Sequence, residues 1–283
     1  MKKVGAAALV LVLWLGLGRA SSAWPDVREV DHKTYVLSAA GDVAVENSSG
    51  DVEVIGWDRN EVDLTATKTA WSHDDLSRMQ AVVNATPTGF GVRAVYPNDC
   101  SNCDLSLVLR VPRGARVTLR TSSGDVKAES ITGAVRAESS SGDVGMTNVA
   151  GEMHLIATSG DINIDGSRGT IEAVASSGSI DASRLDGSAD LVASSGDVSA
   201  DFDRFDGVKT IRLESSSGDI SLKVPRGAGF VIQATAVNGS IDSNLRLPIH
   251  ERDSGADVAA QVGDGKVTAQ LKTTSGDIDI SMH

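Results

Sequence analysis

The residues best placed to do chemistry are aspartates that each follow a glycine. Asp125, Asp143, Asp161, Asp197 and Asp219 hold the same place in a recurring Ser/Thr-Ser-Gly-Asp-Val/Ile phrase, and Ser179 stands there in one copy. Carboxylates repeated in this way can collect divalent cations, and a nine-residue repeat is shared with the calcium-binding rolls of secreted toxins. Those rolls need Gly-Gly-x-Gly-x-Asp, so that paired turns wrap the ion. Here each half-repeat has one glycine, and alternate halves carry Ala134, Glu152, Thr170 and Ser188 where the Asp would be. The aspartates are therefore expected to accept hydrogen bonds from turn amides and from adjacent Ser or Thr hydroxyls, as Asx-type caps, with a cation ladder as the weaker alternative. Copies stacked at about 4.8 Å would repel by about 0.9 kcal/mol per pair in bulk water, so something must offset the charge.

Two files of hydroxyls run beside the aspartates: Ser122, Ser140, Thr158, Ser176 and Ser194, then Ser123, Ser141, Ser159, Ser177 and Ser195. Inter-coil hydroxyl bonding at a tight turn is the expected role. An ice- or sugar-binding face is the alternative, but an ice-binding face would want regular Thr on a strand. The only cysteines, Cys100 and Cys103, enclose Ser101-Asn102. In an exported chain the pair reads as a small disulfide pinning a loop, and none of the five histidines stands at ligand spacing from it. No phosphate-binding Gly-x-x-x-x-Gly-Lys-Ser/Thr loop, Gly-x-Ser-x-Gly elbow or His-Glu-x-x-His helix occurs. Scattered acids such as Glu129, Glu138 and Glu172 read as a solvated face. No catalytic residue, cofactor or metal site is assigned.

The elements that position these residues follow from an internal repeat. Gly124, Gly133, Gly142, Gly151, Gly160, Gly169, Gly178, Gly187 and Gly196 lie nine residues apart, and alternate halves differ, so the unit is 18 residues. The second and fourth residues after each glycine are apolar (Val126 and Ala128, Val144 and Met146, Ile162 and Ile164), with polar residues between. Period-two alternation over so short a span predicts a strand with one buried face. Two such strands make one coil, and only stacking can bury their faces. The fold class is all-β: a β-solenoid with two short strands per 18-residue coil, stacked in parallel, with an N-terminal capping segment. The phrase returns around Gly50, Gly218, Gly239 and Gly276. The 37 residues from Gly239 to Gly276 read as one coil plus a loop around Leu247 to Gly255.

Between Val52 and Arg110 the repeat is lost. Ser72 with Asp75 signals a helix start, giving a short helix near His73 to Gln80. Ala81 to Ala85, Gly91 to Tyr96 and Leu105 to Val111 read as strands. At the start, Lys2 and Lys3, an apolar run from Val4 to about Gly18 and Ala20-Ser21-Ser22-Ala23 form a secretory signal with cleavage after Ala23. The expected organisation is a signal peptide at 1–23, a β-rich capping segment with one helix and a Cys loop at 24–112, and a solenoid domain at 113–283. Cleavage removes Lys2, Lys3 and Arg19 and no acid, so the formal charge falls from −12 to −15. Such a balance repels nucleic acid and anionic lipid.

The chain also resembles the bacterial "putative adhesin" β-strand-repeat family, an exported domain of unknown function. The likeness rests on Gly41-Asp42-Val43, on Gly56-Trp57-Asp58-Arg59-Asn60-Glu61-Val62, on Val111-Pro112-Arg113-Gly114-Ala115 leading into Arg120-Thr121-Ser122-Ser123-Gly124-Asp125-Val126, and on Val224-Pro225-Arg226-Gly227-Ala228. It covers roughly residues 35–283. The resemblance implies a β-solenoid at the cell envelope with an adhesion-type role, and it brings no catalytic residues. The function expected is thus a non-catalytic exported scaffold, periplasmic or at the cell surface, with an envelope protein or surface polymer as partner. One alternative is an envelope regulatory or stress-sensing component whose Trp57 to Cys103 segment engages a membrane partner. The other, a carbohydrate-active β-helix enzyme, is disfavoured because nine-residue halves leave turns too short to wall a cleft.

Overall fold

The computed structural model describes residues 27–283 apart from 101 and 206, so the signal-peptide reading lies outside the described residues. The chain forms two long sheets, a front sheet of 12 strands and a back sheet of 13. In the regular block each coil places one strand in the back sheet and one in the front: Arg116–Ser123 with Val126–Glu129, Val135–Ser141 with Val144–Thr147, Met153–Ser159 with Ile162–Asp165. Neighbouring strands are parallel and pair residue n with n+18, as in Val117 with Val135 and Val126 with Val144. The 18-residue spacing thus becomes the distance between adjacent rungs.

Alternation fixes which residues face inward. Val117 and Leu119 from the back sheet meet Val126 and Ala128 from the front, all nearly inaccessible to solvent. Recurrent interior alanines, among them Ala137, Ala173, Ala182 and Ala200, let the two sheets approach closely. After Phe202 the coil lengthens, and the extra residues fold Phe205 against Phe202 and Phe230, with ring centroids at 5.6 and 6.3 Å.

One turn position repeats without an obvious sequence signature. Ser130, Asn148, Gly166 and Arg184, each 18 residues apart, adopt left-handed φ of 59°, 53°, 63° and 53°. Only Gly166 sits there at no steric cost. Replacing it with alanine is expected to lower unfolding free energy by about 1 kcal/mol, and a urea titration showing no change would contradict this.

The solenoid begins earlier than the 112/113 boundary expected from the sequence. β1 (Val27–Val36), β2 (Asp42–Ser49), β3 (Val52–Trp57), β4 (Glu61–Ala70), α1 (His73–Arg78), β5 (Gln80–Thr86), β6 (Gly89–Val95) and β7 (Asp104–Pro112) make up this region. β2 and β3 form a coil that stacks beneath Arg116–Ser123 and Val126–Glu129. β6 and β7 form a second coil on the far side of β2 and β3. The first coil in the chain therefore lies between the second and the third. The capping proper falls to β4 and β1 on the front sheet and β5 on the back, all joined antiparallel, and to α1. Ser72 caps α1 as its spacing predicts, accepting from the Asp75 amide at 3.1 Å.

The far end uses the same device, which corrects the reading of the Gly239 to Gly276 gap. The last coil, Val267–Ser275 and Ile278–Met282, inserts between Thr210–Ser217/Ile220–Val224 and Phe230–Asn238/Ile241–Ser243. Gly276 stacks on Gly218, and Gly239 stacks on Gly276. Ala256–Val262 then joins the back sheet antiparallel to Phe230–Asn238, with His250–Glu251 beyond it at the edge. Leu245, Leu247 and Ile249 pack partly buried against the core.

Candidate interaction surfaces

The Gly-Asp phrases form a straight ridge along one edge of the stack, and glycine is required there by contact. A Cβ on Gly142 would overlap the carbonyl oxygen of Gly124, one on Gly160 that of Gly142, and one on Gly178 that of Gly160. The other file behaves alike: Gly133 lies against the Ala115 carbonyl, Gly151 against Gly133, Gly169 against Gly151 and Gly187 against Gly169, while Gly196 continues the first file against Gly178.

The aspartates are held by the next coil instead of by their own turns. Oδ1 of Asp51 accepts from the Asp125 amide at 2.9 Å, Asp125 from Asp143 at 3.0 Å, Asp143 from Asp161 at 2.8 Å and Asp161 from Ser179 at 2.8 Å. Ser179 Oγ then accepts from Asp197 at 3.2 Å, Asp197 from Asp219 at 2.8 Å, Asp219 from Asp277 at 2.8 Å and Asp277 from Ser240 at 2.7 Å. Each carboxylate thus satisfies an amide one rung away, and this contact offsets the repulsion between rungs. Among the described residues no three His, Cys, Asp or Glu side chains converge as ligands for an ion.

Asp161→Ala would leave the Ser179 amide without its acceptor and should cost about 1–2 kcal/mol. Asp161→Ser should recover most of that loss, since Ser179 fills the same role for Asp197; equal losses for both variants in denaturant titrations would refute the capping role. The amide and hydroxyl of Ser240 hold the Asp277 carboxyl below its ordinary value. Its contribution is therefore complete above the unfolded value of about 3.9 and is lost as pH falls through the folded value. The protection factor of the Ser240 amide, taken against the intrinsic exchange rate at each pH, should fall as pH drops through the folded value in the native chain and be low at every pH in Asp277→Ala.

The hydroxyl files differ from expectation. Ser122, Ser140, Thr158, Ser176 and Ser194, and the neighbouring Ser123, Ser141, Ser159, Ser177 and Ser195, are exposed. Among the described residues their hydroxyls make no bond to another coil, whereas buried positions just before them do. Ser139 Oγ donates to the Gly124 carbonyl at 3.3 Å, Ser215 to Gly196 at 2.9 Å and Thr273 to Gly218 at 2.9 Å. Along the ridge each coil offers solvent two hydroxyls with unused hydrogen-bonding capacity.

At the head of the ridge the chain rises into the loop closed by the Cys100–Cys103 disulfide. A cleft of about 620 Å³ lies beside it, lined by residues including Glu46, Ser48, Arg93, Tyr96, Asn98 and Cys103. Its floor is built from Asn47, whose amide donates to the Gly50 and Leu105 carbonyls at 2.8 and 2.9 Å and whose Oδ1 accepts from the Tyr96 hydroxyl at 2.6 Å. Burial pushes the Tyr96 phenol far above its ordinary value. Sequence reading passed over this pair. The available signal was Asn47 itself, standing where later coils carry Thr121, Ser139 or Ala157.

The outer face of the back sheet carries a third feature missed from sequence. Ile156, Val174 and Val192 stack in register as a half-buried apolar strip. Contacts between coils surround it: ion pairs of Arg120 with Glu138 at 3.1 Å and Arg212 with Asp190 at 2.9 Å, and a hydrogen bond between His154 and Glu172 at 2.9 Å. Glu138 and Glu172, expected to be merely solvated, thus tie adjacent rungs. Partial burial would raise the Glu138 carboxyl, but Arg136 and Arg120 outweigh it and hold it low. Pairs this exposed add little stability each.

Two sheets of stacked coils, with antiparallel strands at the N-terminal end of both and at the far end of the back sheet, define a capped β-solenoid scaffold. The chain belongs to the Toastrack family, DUF4097, whose model matches residues 84–281. Among solved structures, one described as a "putative adhesin" from Bacteroides fragilis is 12% identical with a TM-score of 0.42, covering 89% of this chain and 97% of its own. A "putative lipid binding protein" from Parabacteroides distasonis is 12% identical with a TM-score of 0.43, covering 88% and 96%. A "putative cell adhesion protein" from Clostridium sporogenes is 9% identical with a TM-score of 0.30, covering 90% and 100%. Similarity this low transfers no residue role. No curated protein sequence matches the chain.

Proposed function

We propose that this protein is a non-catalytic exported scaffold of the cell envelope, periplasmic or at the surface, whose hydroxyl ridge holds a surface polymer or an envelope protein. The observation that carries the reading is the ridge itself. Paired exposed hydroxyls recur at every rung from Ser122 to Ser195, with their hydrogen-bonding capacity unspent, on a backbone fixed by stacked sheets. Such an array suits a ligand that is itself extended and rich in donors and acceptors, since many weak contacts in fixed register sum without ordering the protein further. Short turns along the regular block favour binding over catalysis, because they raise no walls around a substrate.

The regulatory reading draws on a different observation, the cleft at the disulfide loop, so the two can be separated. Mature protein would be tested for capture of envelope polysaccharides and of crosslinked envelope proteins. Ser141→Lys combined with Ser159→Lys and Ser177→Lys should abolish capture while the circular dichroism spectrum is unchanged. If Arg93→Glu in the cleft abolishes it and the ridge variant does not, the regulatory reading replaces this one. Turnover of any polysaccharide would restore the enzyme class.

A further inference from the structure

Among the described residues the stack has four open sheet edges, and three are defended against pairing. β1, at the N-terminal end of the front sheet, carries Arg28, Glu29, Asp31, His32 and Lys33 within its 10 residues. At the other end the front sheet stops at the 3-residue strand Ile241–Ser243 and the back sheet at the 2-residue strand His250–Glu251. Charge and shortness are the usual means of keeping an edge from recruiting another strand.

The fourth edge has neither. β5 reads Gln-Ala-Val-Val-Asn-Ala-Thr, 7 residues without a charge or a proline, and among the described residues it pairs only with β6. Half of its backbone amides and carbonyls therefore point away from the sheet. Val82 is 44% exposed on the outer side, and Ala81 and Val83 are half-buried on the core side.

We propose that β5 pairs antiparallel with β5 of a second copy about a two-fold axis through Val83, joining two back sheets into one. In that register Ala81 of each copy faces Ala85 of the other, Val82 faces Asn84 and Gln80 faces Thr86. Core-side residues meet core-side residues, and no charge faces a charge. That condition is demanding for self-association, because a chain of formal charge −12 repels its own copy over most of its surface. Antiparallel pairing also gives both copies the same environment, as a two-fold interface must.

Sedimentation equilibrium of the mature chain, from low micromolar to sub-millimolar, should show twice the monomer mass. Val82→Lys, a change at an exposed side chain, should raise the midpoint of dissociation by at least about tenfold. Val83→Cys sets one thiol from each copy on the axis and should give a covalent dimer on mild oxidation, whereas Thr118→Cys, on the same sheet's outer face, should not. A native chain that stays monomeric throughout overturns the proposal, as does a dimer indifferent to Val82→Lys. Should Val82→Lys fail to fold, the Val83→Cys crosslink decides alone. A monomer that instead takes up an extended strand of a different protein at β5 also overturns it. None of these outcomes bears on the ridge.

Discussion

Gly142→Ala should destabilise the protein by about 3 kcal/mol or more, as forced overpacking against a rigid backbone does. At roughly 2–4 °C per kcal/mol for a chain of this size, the apparent Tm should drop by about 10 °C. The added methyl has nowhere to go: its neighbour is the Gly124 carbonyl, part of the backbone of the rung below, and Gly160 bears on Gly142 from above. Relief would need the two coils to move apart, which would stretch the paired strands on both sheets at once. Gly145→Ala, three residues away, is the matched control. Its Cβ would meet Lys127 Cγ at 3.4 Å and the Val126 carbonyl oxygen at 3.9 Å, both ordinary contacts. That change should leave stability within about 0.5 kcal/mol or raise it, since glycine is a poor strand residue. Equal effects of the two substitutions in thermal melts would mean that contact between coils is not what glycine serves.

Deleting residues 267–283 should do more damage than its length implies. The deletion removes the rung between Thr210–Ser217/Ile220–Val224 and Phe230–Asn238/Ile241–Ser243: the first neighbour keeps its parallel partners Ala189–Ser195 and Val198–Phe202, whereas the second loses its parallel partners on both sheets. Phe230–Asn238 then keeps only its antiparallel partner Ala256–Val262. A two-stranded unit of that kind is marginal in water. Hydrogen exchange should therefore show residues 230–262 losing protection together, while 135–195 stay protected, because solenoid stability is set by neighbours. Retained protection across 230–262 would show that this segment folds on the stack without its keystone.

How far the sequence could be read depended on whether a residue's role was settled within one coil or between coils far apart in the chain. The glycine file from Gly124 to Gly196 and the alternation at Val126/Ala128 gave the rung and its buried face directly, because each obeys a rule that repeats unchanged. Ser72 and Asp75 gave α1 for the same local reason. The order of rungs at the two ends was illegible. The phrases at Gly239 and Gly276 are the same whichever stacks first, and only the pairing of distant edges decides it. Likewise, the place of Asp161 was evident, but its acceptor role toward Ser179 belongs to a neighbour 18 residues on. The left-handed turn was hidden by its occupants, since Ser130 and Arg184 dilute the signal of Asn148 and Gly166. The Asn47–Tyr96 contact joins residues 49 apart and leaves no periodic trace.

Both ends of the stack are closed by self-contained devices, an inserted rung with antiparallel strands beyond it, and neither reaches into the uniform middle from Val135 to Ser195. Duplicating or excising one internal repeat, such as 144–161, would thus carry the two closures further apart or closer together by one increment of about 4.8 Å without remaking either. The molecule is in this sense a spacer of adjustable reach, whose span is written in the number of its middle repeats while its terminal fittings stay the same.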